Sequence, residues 1–323
     1  MTTRRRLMRL VPAVATAMAA GTAARGQSWP QRQLRIIVPY APGGATDIVA
    51  RVVGAAIGAE FGQPVLIDNR SGGAGNIAME QAAQAAPDGY TYVVSTVAQA
   101  VNMTLFRKVG YDLERGFAPV AFLSYYSFIL VVNPDLPVKS FQDLVALARQ
   151  RPLNYASSGT GSAPHIGTAL LCNLAGIEMT HVPYRGSGPA VADLISGACQ
   201  LMFDSPPSVL PQIRAGRLRA IAVSGLERIP ELPDVPTVAE SGVPGFEILG
   251  WNGLLAPADT PPDILSKMYD AIQRALADPQ VKERFEQAGA RMRPMSREAF
   301  GAFLRSELAK WADAVRKSGA QVE

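Results

Sequence analysis

The chain has few residues that bind transition metals or form disulfides. Its 323 residues include two cysteines, Cys172 and Cys199, and two histidines, His165 and His181. No Cys-x-x-Cys or His-x-x-x-His spacing occurs. Because zinc sites need clusters of such ligands, the sequence predicts no metal site. Two cysteines suit an oxidising compartment, where they form either one disulfide or two buried thiols.

Acidic residues are absent from the first 26 positions, and this makes the whole chain look basic. The formal charge is +4 and the pI is about 9.1. Five of the 31 basic residues are arginines before residue 27, and without them 26 bases face 27 acids. A nearly neutral chain has no basic surface for a nucleic acid, so we expect no nucleic-acid partner.

No apolar run is long enough to span a bilayer, which takes about 20 residues. The short apolar stretch at residues 10–20 follows the arginines and precedes Ala24-Arg25-Gly26, a small-residue pattern typical of a cleavage site. Residues 1–26 therefore predict a cleavable export signal, and the mature protein is expected in the periplasm. Residues 3–9 resemble a twin-arginine signal, and an ordinary Sec signal with extra arginines is the alternative.

Residues 36–51 predict a strand, a glycine turn and a helix. Residues 36–38 form a short apolar run, residues 39–44 are rich in Pro and Gly, and apolar positions then recur at helical spacing. Either Thr46 or Asp47 is expected to cap the helix. The free N–H groups at a helix start suit a carboxylate or phosphate. A tight connection without any ligand is the alternative.

The same pattern returns in the second half of the chain. Residues 153–157 predict a strand, residues 158–162 a turn, and residues 163–174 a helix that Ser162 caps and Gly176 ends. The two turns lie roughly 115 residues apart, the spacing expected if each of two domains supplies one side of a cleft.

Strands alternate with helices along the whole chain, which is typical of doubly wound α/β sheets. Ligands bind beyond the carboxyl ends of the strands in such sheets. We expect one domain at residues 27–125 and 251–323, and a second at residues 126–250. Gly73–Ala78 fits a loose dinucleotide motif, but the acid that should end the next strand is missing, so no cofactor is predicted.

A serine hydrolase is the enzyme that the sequence comes closest to. Ser158 or Ser162 could be paired with His165, but neither serine lies in a G-x-S-x-G motif. The position of Ser162 is better explained by helix capping, so we expect no enzyme activity.

The chain resembles the Bug, or TctC-like, extracytoplasmic receptors of tripartite tricarboxylate transporters. The matching motifs run in family order over essentially the whole mature chain. They are Val38-Pro-Tyr-Ala-Pro-Gly-Gly, Asp68-Asn-Arg-Ser-Gly-Gly-Ala-Gly-Asn, Pro87-Asp-Gly-Tyr-Thr, Phe117-Ala-Pro-Val, Tyr155-Ala-Ser-Ser-Gly-Thr-Gly-Ser, His181-Val-Pro-Tyr-Arg-Gly, Asp234-Val-Pro-Thr-Val-Ala-Glu-Ser-Gly and Trp251-Asn-Gly-Leu-Leu-Ala-Pro.

This resemblance implies a two-domain periplasmic-binding-protein fold of type II, a clamshell that closes on one solute. Two βα loops of such receptors hold a ligand carboxylate, partly through ordered waters. Asp204 faces the far end of the ligand in the family pattern, where it accepts from an amine or hydroxyl or repels a second carboxylate. A helix N-cap is its alternative role. The matching ligand-binding positions are Tyr40, Ala41, Gly43, Gly44, Thr46, Ala98, Ser158, Gly159, Thr160, Ser162 and Asp204.

The function expected from this resemblance is capture of a small carboxylate, such as a dicarboxylate, an aromatic acid or an amino acid. The partner is a membrane transporter that the receptor contacts transiently, and a monomer suits that role. An exported sensor that signals by protein contact is the main alternative. Thr160→Ala and Gly44→Val are expected to weaken ligand binding and to leave the fold intact.

Overall fold

The computed structural model describes residues 29–318. The predicted export signal lies outside the described residues. Within that range, no helix is long and apolar enough to cross a membrane. The elements in chain order are β1 (Leu34–Val38), α1 (Ala45–Phe61), β2 (Val65–Asn69), a 3₁₀ turn (Gly73–Gly75), α2 (Asn76–Ala83), β3 (Thr91–Thr96), α3 (Val97–Leu105), β4 (Phe117–Ser127), β5 (Ile129–Val132), α4 (Phe141–Ala148), β6 (Asn154–Ser157), α5 (Ala163–Ala175), β7 (Thr180–Pro183), α6 (Ser187–Ser196), β8 (Leu201–Asp204), α7 (Pro206–Arg214), β9 (Arg219–Val223), β10 (Leu249–Pro257), α8 (Pro262–Ala277), α9 (Pro279–Gln287) and α10 (Arg297–Ser318).

Two five-stranded sheets repeat one topology. The first has the order β2-β1-β3-β10-β4 and the second the order β7-β6-β8-β5-β9. In each sheet the first three strands are parallel and the fourth is antiparallel to both of its neighbours. Parallel strands joined through helices place their carboxyl ends at one edge of the sheet. The predicted α/β class and two-domain architecture are confirmed.

Buried aliphatic side chains hold each sheet to its helices. One cluster packs the first sheet against α1 and α8, with Val53, Ile57 and Met268 fully buried. A second packs β5 and β8 against α6 and α7. Cys172 and Cys199 are both buried free thiols, so of the two alternatives the structure has the thiols and no disulfide.

The chain crosses between the sheets at two adjacent places. β4 ends in the first sheet at Ser127, and β5 begins in the second sheet at Ile129. The return runs from β9 to β10. The predicted domain boundaries, 125/126 and 250/251, stay predictions, and they fall inside β4 and β10.

Ser224 ties the two crossings together. Its hydroxyl accepts a hydrogen bond from the Phe128 N–H at 2.8 Å and donates to the Ile248 carbonyl. Its main chain bonds the same two residues, at 2.9 Å and 3.0 Å. Since Ser224 is fully buried, water cannot replace these partners.

Ser224→Ala is therefore expected to lower the free energy of unfolding by about 2 kcal/mol, because a buried donor and a buried acceptor lose their partner together. Chemical denaturation measures this. Ser196→Ala is the matched control, since it removes an exposed hydroxyl that bonds the Asp193 carbonyl, and it should change stability by less than about 0.5 kcal/mol. Equal losses in the two variants would contradict the assignment.

Candidate ligand-binding cleft

A cavity of about 370 Å³ lies between the two sheets, at the carboxyl ends of their parallel strands. This is within the range of small-molecule sites, which run from roughly 300 to 1,000 Å³. The residues that line it are Tyr40, Ala41, Pro42, Gly43, Gly44, Ala45, Thr46, Thr96, Val97, Ala98, Tyr126, Phe128, Ser158, Ser162, Ala163, Pro164, Gly186, Ser187, Gly188, Pro189, Val191, Asp204, Ser205, Pro207, Ser208, Gln212, Gly250 and Trp251.

Most of the predicted ligand-binding residues lie together on this cavity. Gly159 and Thr160 do not line it, although they belong to the loop that does. Their roles, like those of the others, stay predictions. The residues on the cavity wall are Tyr40, Ala41, Gly43, Gly44, Thr46, Ala98, Ser158, Ser162 and Asp204.

Helix N-termini surround the cavity on both sides. Helices α1 and α3 from the first sheet, and α5, α6 and α7 from the second, all begin at or beside lining residues. Among the described residues that line it, Asp204 is the one that carries a charged group, and no Lys, Arg or His belongs to the lining. The positive helix ends and their free N–H groups are thus what the protein offers to an anion here.

Residues 39–44, the first loop, enter α1 through Gly44. Gly44 is the N-cap, with no side-chain cap, so the prediction that Thr46 or Asp47 caps the helix is wrong. Instead Asp47 accepts from the Gly43 N–H at 3.0 Å and from Arg51 and Asn69 at 2.9 Å. Burial alone would raise the pKa of Asp47, but these hydrogen bonds lower it below its usual value. The carboxylate therefore holds the loop, and the Gly43 N–H is already used.

Residues 158–162, the second loop, enter α5 through Ser162. The Ser162 hydroxyl accepts from the His165 N–H at 3.3 Å and caps the helix, as predicted, with Pro164 in the first turn. This bond leaves the hydroxyl proton of Ser162 for another acceptor. Gly159 donates its N–H to the Ser157 hydroxyl at 3.1 Å, so that N–H is also used.

The pair proposed for a serine hydrolase is not assembled. The His165 Nδ1 atom accepts from the Gly161 N–H at 3.1 Å instead of facing Ser162. The serine and histidine side chains that do meet are Ser157 and His181, 2.7 Å apart. Ser157 is fully buried and does not line the cavity. Within residues 29–318, no group of His, Cys, Asp and Glu could hold a metal ion.

Asp204 ends β8 in the second sheet, across the cavity from the first sheet and its loop. Its carboxyl group is buried. Its Oδ1 atom accepts from the Ser187 hydroxyl and from the Ser205 N–H, both at 2.7 Å. Its Oδ2 atom is buried and has no hydrogen-bond partner among the described residues. Burial raises the pKa of Asp204 to about 6, against these hydrogen bonds. Ser205 is the N-cap of α7, so the alternative role of Asp204 as that cap is wrong.

Sequence reasoning missed several lining residues. Ser187 is the first residue of α6, whose N-cap is Gly186. Tyr126, at the end of β4, and Trp251, at the start of β10, bring aromatic surface to the cavity. Trp251 donates its Nε1 proton to the buried Glu307 at 2.8 Å, which fixes the ring.

The chain matches the tripartite tricarboxylate transporter family receptor, TctC, over residues 49–320. It is 37% identical over 308 residues to a UPF0065 protein of Pseudomonas sp. strain P51, covering 94% of this chain and 92% of that protein. It is 35% identical over 310 residues to protein BugT of Bordetella pertussis, covering 94% of this chain and 95% of BugT.

Solved structures with the same fold include two with bound acids. Rpa4515 of R. palustris with adipate has a TM-score of 0.88 at 36% identity and covers 91% of this chain and all of its own. MatC of Rhodopseudomonas palustris with bound malate has a TM-score of 0.84 at 34% identity, over 89% of this chain and all of its own. The periplasmic binding protein BugD has a TM-score of 0.87 at 31% identity, with 91% and 100% coverage. The chain belongs to the Bug, or TctC, family of periplasmic solute-binding receptors.

Proposed function

We propose that the protein captures a small organic acid in the cleft and delivers it to a tripartite tricarboxylate-type transporter in the membrane. The observation that carries this proposal is the ring of helix N-termini and hydroxyl groups around a cavity to whose wall the described residues bring no cationic side chain. Relatives with bound adipate and malate support the ligand class.

The ligand carboxylate would bind between the first and second loops. The Gly44 N–H and the Thr46 hydroxyl are available on one side, and the hydroxyl groups of Ser158 and Ser162 on the other. Ordered waters can extend these groups to the carboxylate. Because the two loops belong to different sheets, one carboxylate held by both would stabilise the closed clamshell.

The protein would act without catalysis. Among residues 29–318 the serine and histidine side chains that bond each other, Ser157 and His181, do not line the cavity, and a nucleophile must reach its substrate. We further propose that the chain is exported by its arginine-rich leader and works as a monomer in the periplasm.

A thermal-shift screen tests the ligand class. The protein from Gln27 onward is heated with adipate, malate, single-carboxylate analogues and the corresponding amides. A ligand that binds the native state raises the melting temperature by mass action. We expect shifts with one or more acids and none with their amides. A shift with a neutral compound and with no acid would overturn the proposal.

Transport and sensing are separated in a strain that lacks the gene. Loss of uptake of the acid identified in the screen, with normal induction of the genes it controls, would support delivery to a transporter. Lost induction with normal uptake would favour the sensor. Both roles use the same closed state, so only the cellular readout distinguishes them.

A further inference from the structure

The second loop is held in an uncommon backbone shape. Gly159 has a φ of +135° and Gly161 a φ of +80°, values that favour glycine. Two glycines so close together give a loop little stiffness of its own, because glycine loses the most conformational freedom on folding. Side-chain contacts must therefore fix its position.

Ser157 holds the second loop in place through hydrogen bonds to Gly159. Its hydroxyl accepts from the Gly159 N–H and donates to the Gly159 carbonyl, each at 3.1 Å. The same oxygen lies 2.7 Å from the His181 Nε2 atom. When Nε2 carries the ring proton, His181 donates to Ser157 and leaves the serine proton for Gly159.

His165 holds the second loop in place through a hydrogen bond from Gly161. Its Nδ1 atom accepts from the Gly161 N–H at 3.1 Å, which requires an unprotonated Nδ1. The rings of His165 and His181 stack with centroids 3.9 Å apart and planes 16° from parallel. The Tyr155 ring also stacks on His181, at 5.0 Å. One chain of contacts thus runs from Gly161 through both histidines to Ser157 and Gly159; His165 and Ser157 are buried, and His181 is half-buried.

This chain of contacts also lies where the two sheets meet. A Cβ atom built on Gly161 would lie 2.4 Å from Asn102 Oδ1 and 3.2 Å from Leu105 Cδ2. Asn102 and Leu105 belong to α3, the helix that follows strand β3 of the first sheet. A shift of Gly161 would therefore move both the second loop and its contact with the first domain.

We infer that Ser157, His165 and His181 are positioning residues, which fix the second loop in its ligand-binding shape without touching the ligand. None of the three lines the cavity. This inference rests on the proposed function for the consequence to binding, but the loop contacts can be tested without any ligand.

Both rings must be neutral for the arrangement to hold. Burial lowers the pKa of His165 to about 4, and burial together with His165 lowers the pKa of His181 to about 3. The titratable group stacked on His181 is Tyr155, which Cys172 neighbours in turn, and burial raises the pKa values of both, so neither is charged at neutral pH. No carboxylate among residues 29–318 bonds either ring. Protonation at acid pH would remove the acceptor from Gly161.

The test compares matched substitutions. His165→Asn keeps an oxygen near the position of Nδ1, and His165→Leu removes the acceptor. His181→Gln likewise keeps a polar group near Nε2, and His181→Phe keeps only the stacked ring. Titration calorimetry with adipate and malate at pH 7.5 should show about tenfold weaker binding for the Leu and Phe variants. The Asn and Gln variants should stay within about threefold of the unmodified protein.

Two further readouts separate a positioning role from general loss of stability. In the ligand-free protein, amide exchange at Gly159 and Gly161 should speed up in His165→Leu and stay slow in His165→Asn. Affinity measured from pH 6 to pH 4 should fall more steeply for the unmodified protein than for His165→Asn, since only the former loses its acceptor on protonation.

The outcomes are distinct. Unchanged exchange and unchanged affinity in His165→Leu would overturn the inference. Fast exchange in His165→Leu, in a protein that binds neither adipate nor malate, would support the loop assignment while counting against the proposed ligand class. If His165→Leu does not fold, weak binding and fast exchange in His181→Phe support the inference, and normal values for both overturn it.

Discussion

Asp204→Asn should make the protein more stable at pH 8. Burial raises the pKa of Asp204 from 3.8 to about 6, so the folded state holds its ionised carboxylate at a cost that the unfolded state does not have. A rise in pKa of this size corresponds to a loss of roughly 3 kcal/mol from the free energy of unfolding, and the uncharged amide of Asn avoids that loss. The one oxygen that accepts from both Ser187 and Ser205, Oδ1, has an equivalent in the side-chain carbonyl of Asn.

The raised pKa of Asp204 also predicts how the stability difference between the two proteins changes with pH. Because the folded pKa is raised, the cost is full above pH 6, falls as the pH drops from 6 to 4, and is absent below the unfolded value. The stability gap between Asp204→Asn and the unmodified protein should close over that window in thermal denaturation. Asp135→Asn, at an exposed position, is the control and should show no such gap. A gap that is constant from pH 8 to pH 4 would contradict the assignment.

The same substitution should change which ligands bind. The Oδ2 atom of Asp204 is buried and has no hydrogen-bond partner among residues 29–318, so we expect it to accept from a hydroxyl or ammonium group at the far end of a ligand. An ionised second carboxylate would instead be repelled there. At pH 7.5 the protein should bind 6-aminohexanoate more tightly than adipate, by about tenfold, and Asp204→Asn should abolish or reverse that preference.

For adipate, lowering the pH should have the same effect as Asp204→Asn, because both remove the negative charge of Asp204. Below a pKa of about 6, Asp204 carries a proton that it can donate to a second carboxylate. The ratio of adipate to 6-aminohexanoate affinity should therefore rise between pH 7.5 and pH 5.5 in the unmodified protein. In Asp204→Asn the ratio should change much less. Calorimetric titrations of both compounds measure it, and equal pH profiles in the two proteins would refute a role for Asp204 in selection.

What could be predicted from the sequence was mostly local. The order of strands and helices follows from apolar runs and glycine turns, and the Ser162 cap follows from a hydroxyl placed before Pro164 at a helix start. The position of both loops at one edge follows from the parallel topology. These features depend on neighbours within a few residues, which a single sequence displays.

What the sequence did not reveal depends on distant partners. Asp47 looked like a helix cap, but its side chain turns back to Gly43 and is held by Asn69 on β2. The stack of His165 on His181 joins α5 to β7, and no spacing rule relates the two. Tyr126 and Trp251 reach the cavity from strands at the crossings between the sheets. Only the folded register brings such residues together.

Gly44→Val should abolish ligand binding while the fold stays intact. Gly44 has a φ of −84° and a ψ of 170°, an extended conformation that a β-branched residue accepts. A Cβ atom built there would meet no atom of residues 29–318 within 4 Å, so the backbone at this position has room for a side chain. Because Gly44 lines the cavity at the start of α1, the valine would occupy the place of the carboxylate.

We expect at least a hundredfold loss of affinity for Gly44→Val and a smaller loss for Gly44→Ala, with melting temperatures of the free proteins within about 2 °C of the unmodified one. Thr160→Ala is a useful comparison, because Thr160 lies on the second loop but outside the cavity wall. It should weaken binding much less than Gly44→Val, through the loop alone. Normal binding by Gly44→Val would mean that the acid does not bind at the start of α1, and the carboxylate site would then have to be sought at the other helix N-termini.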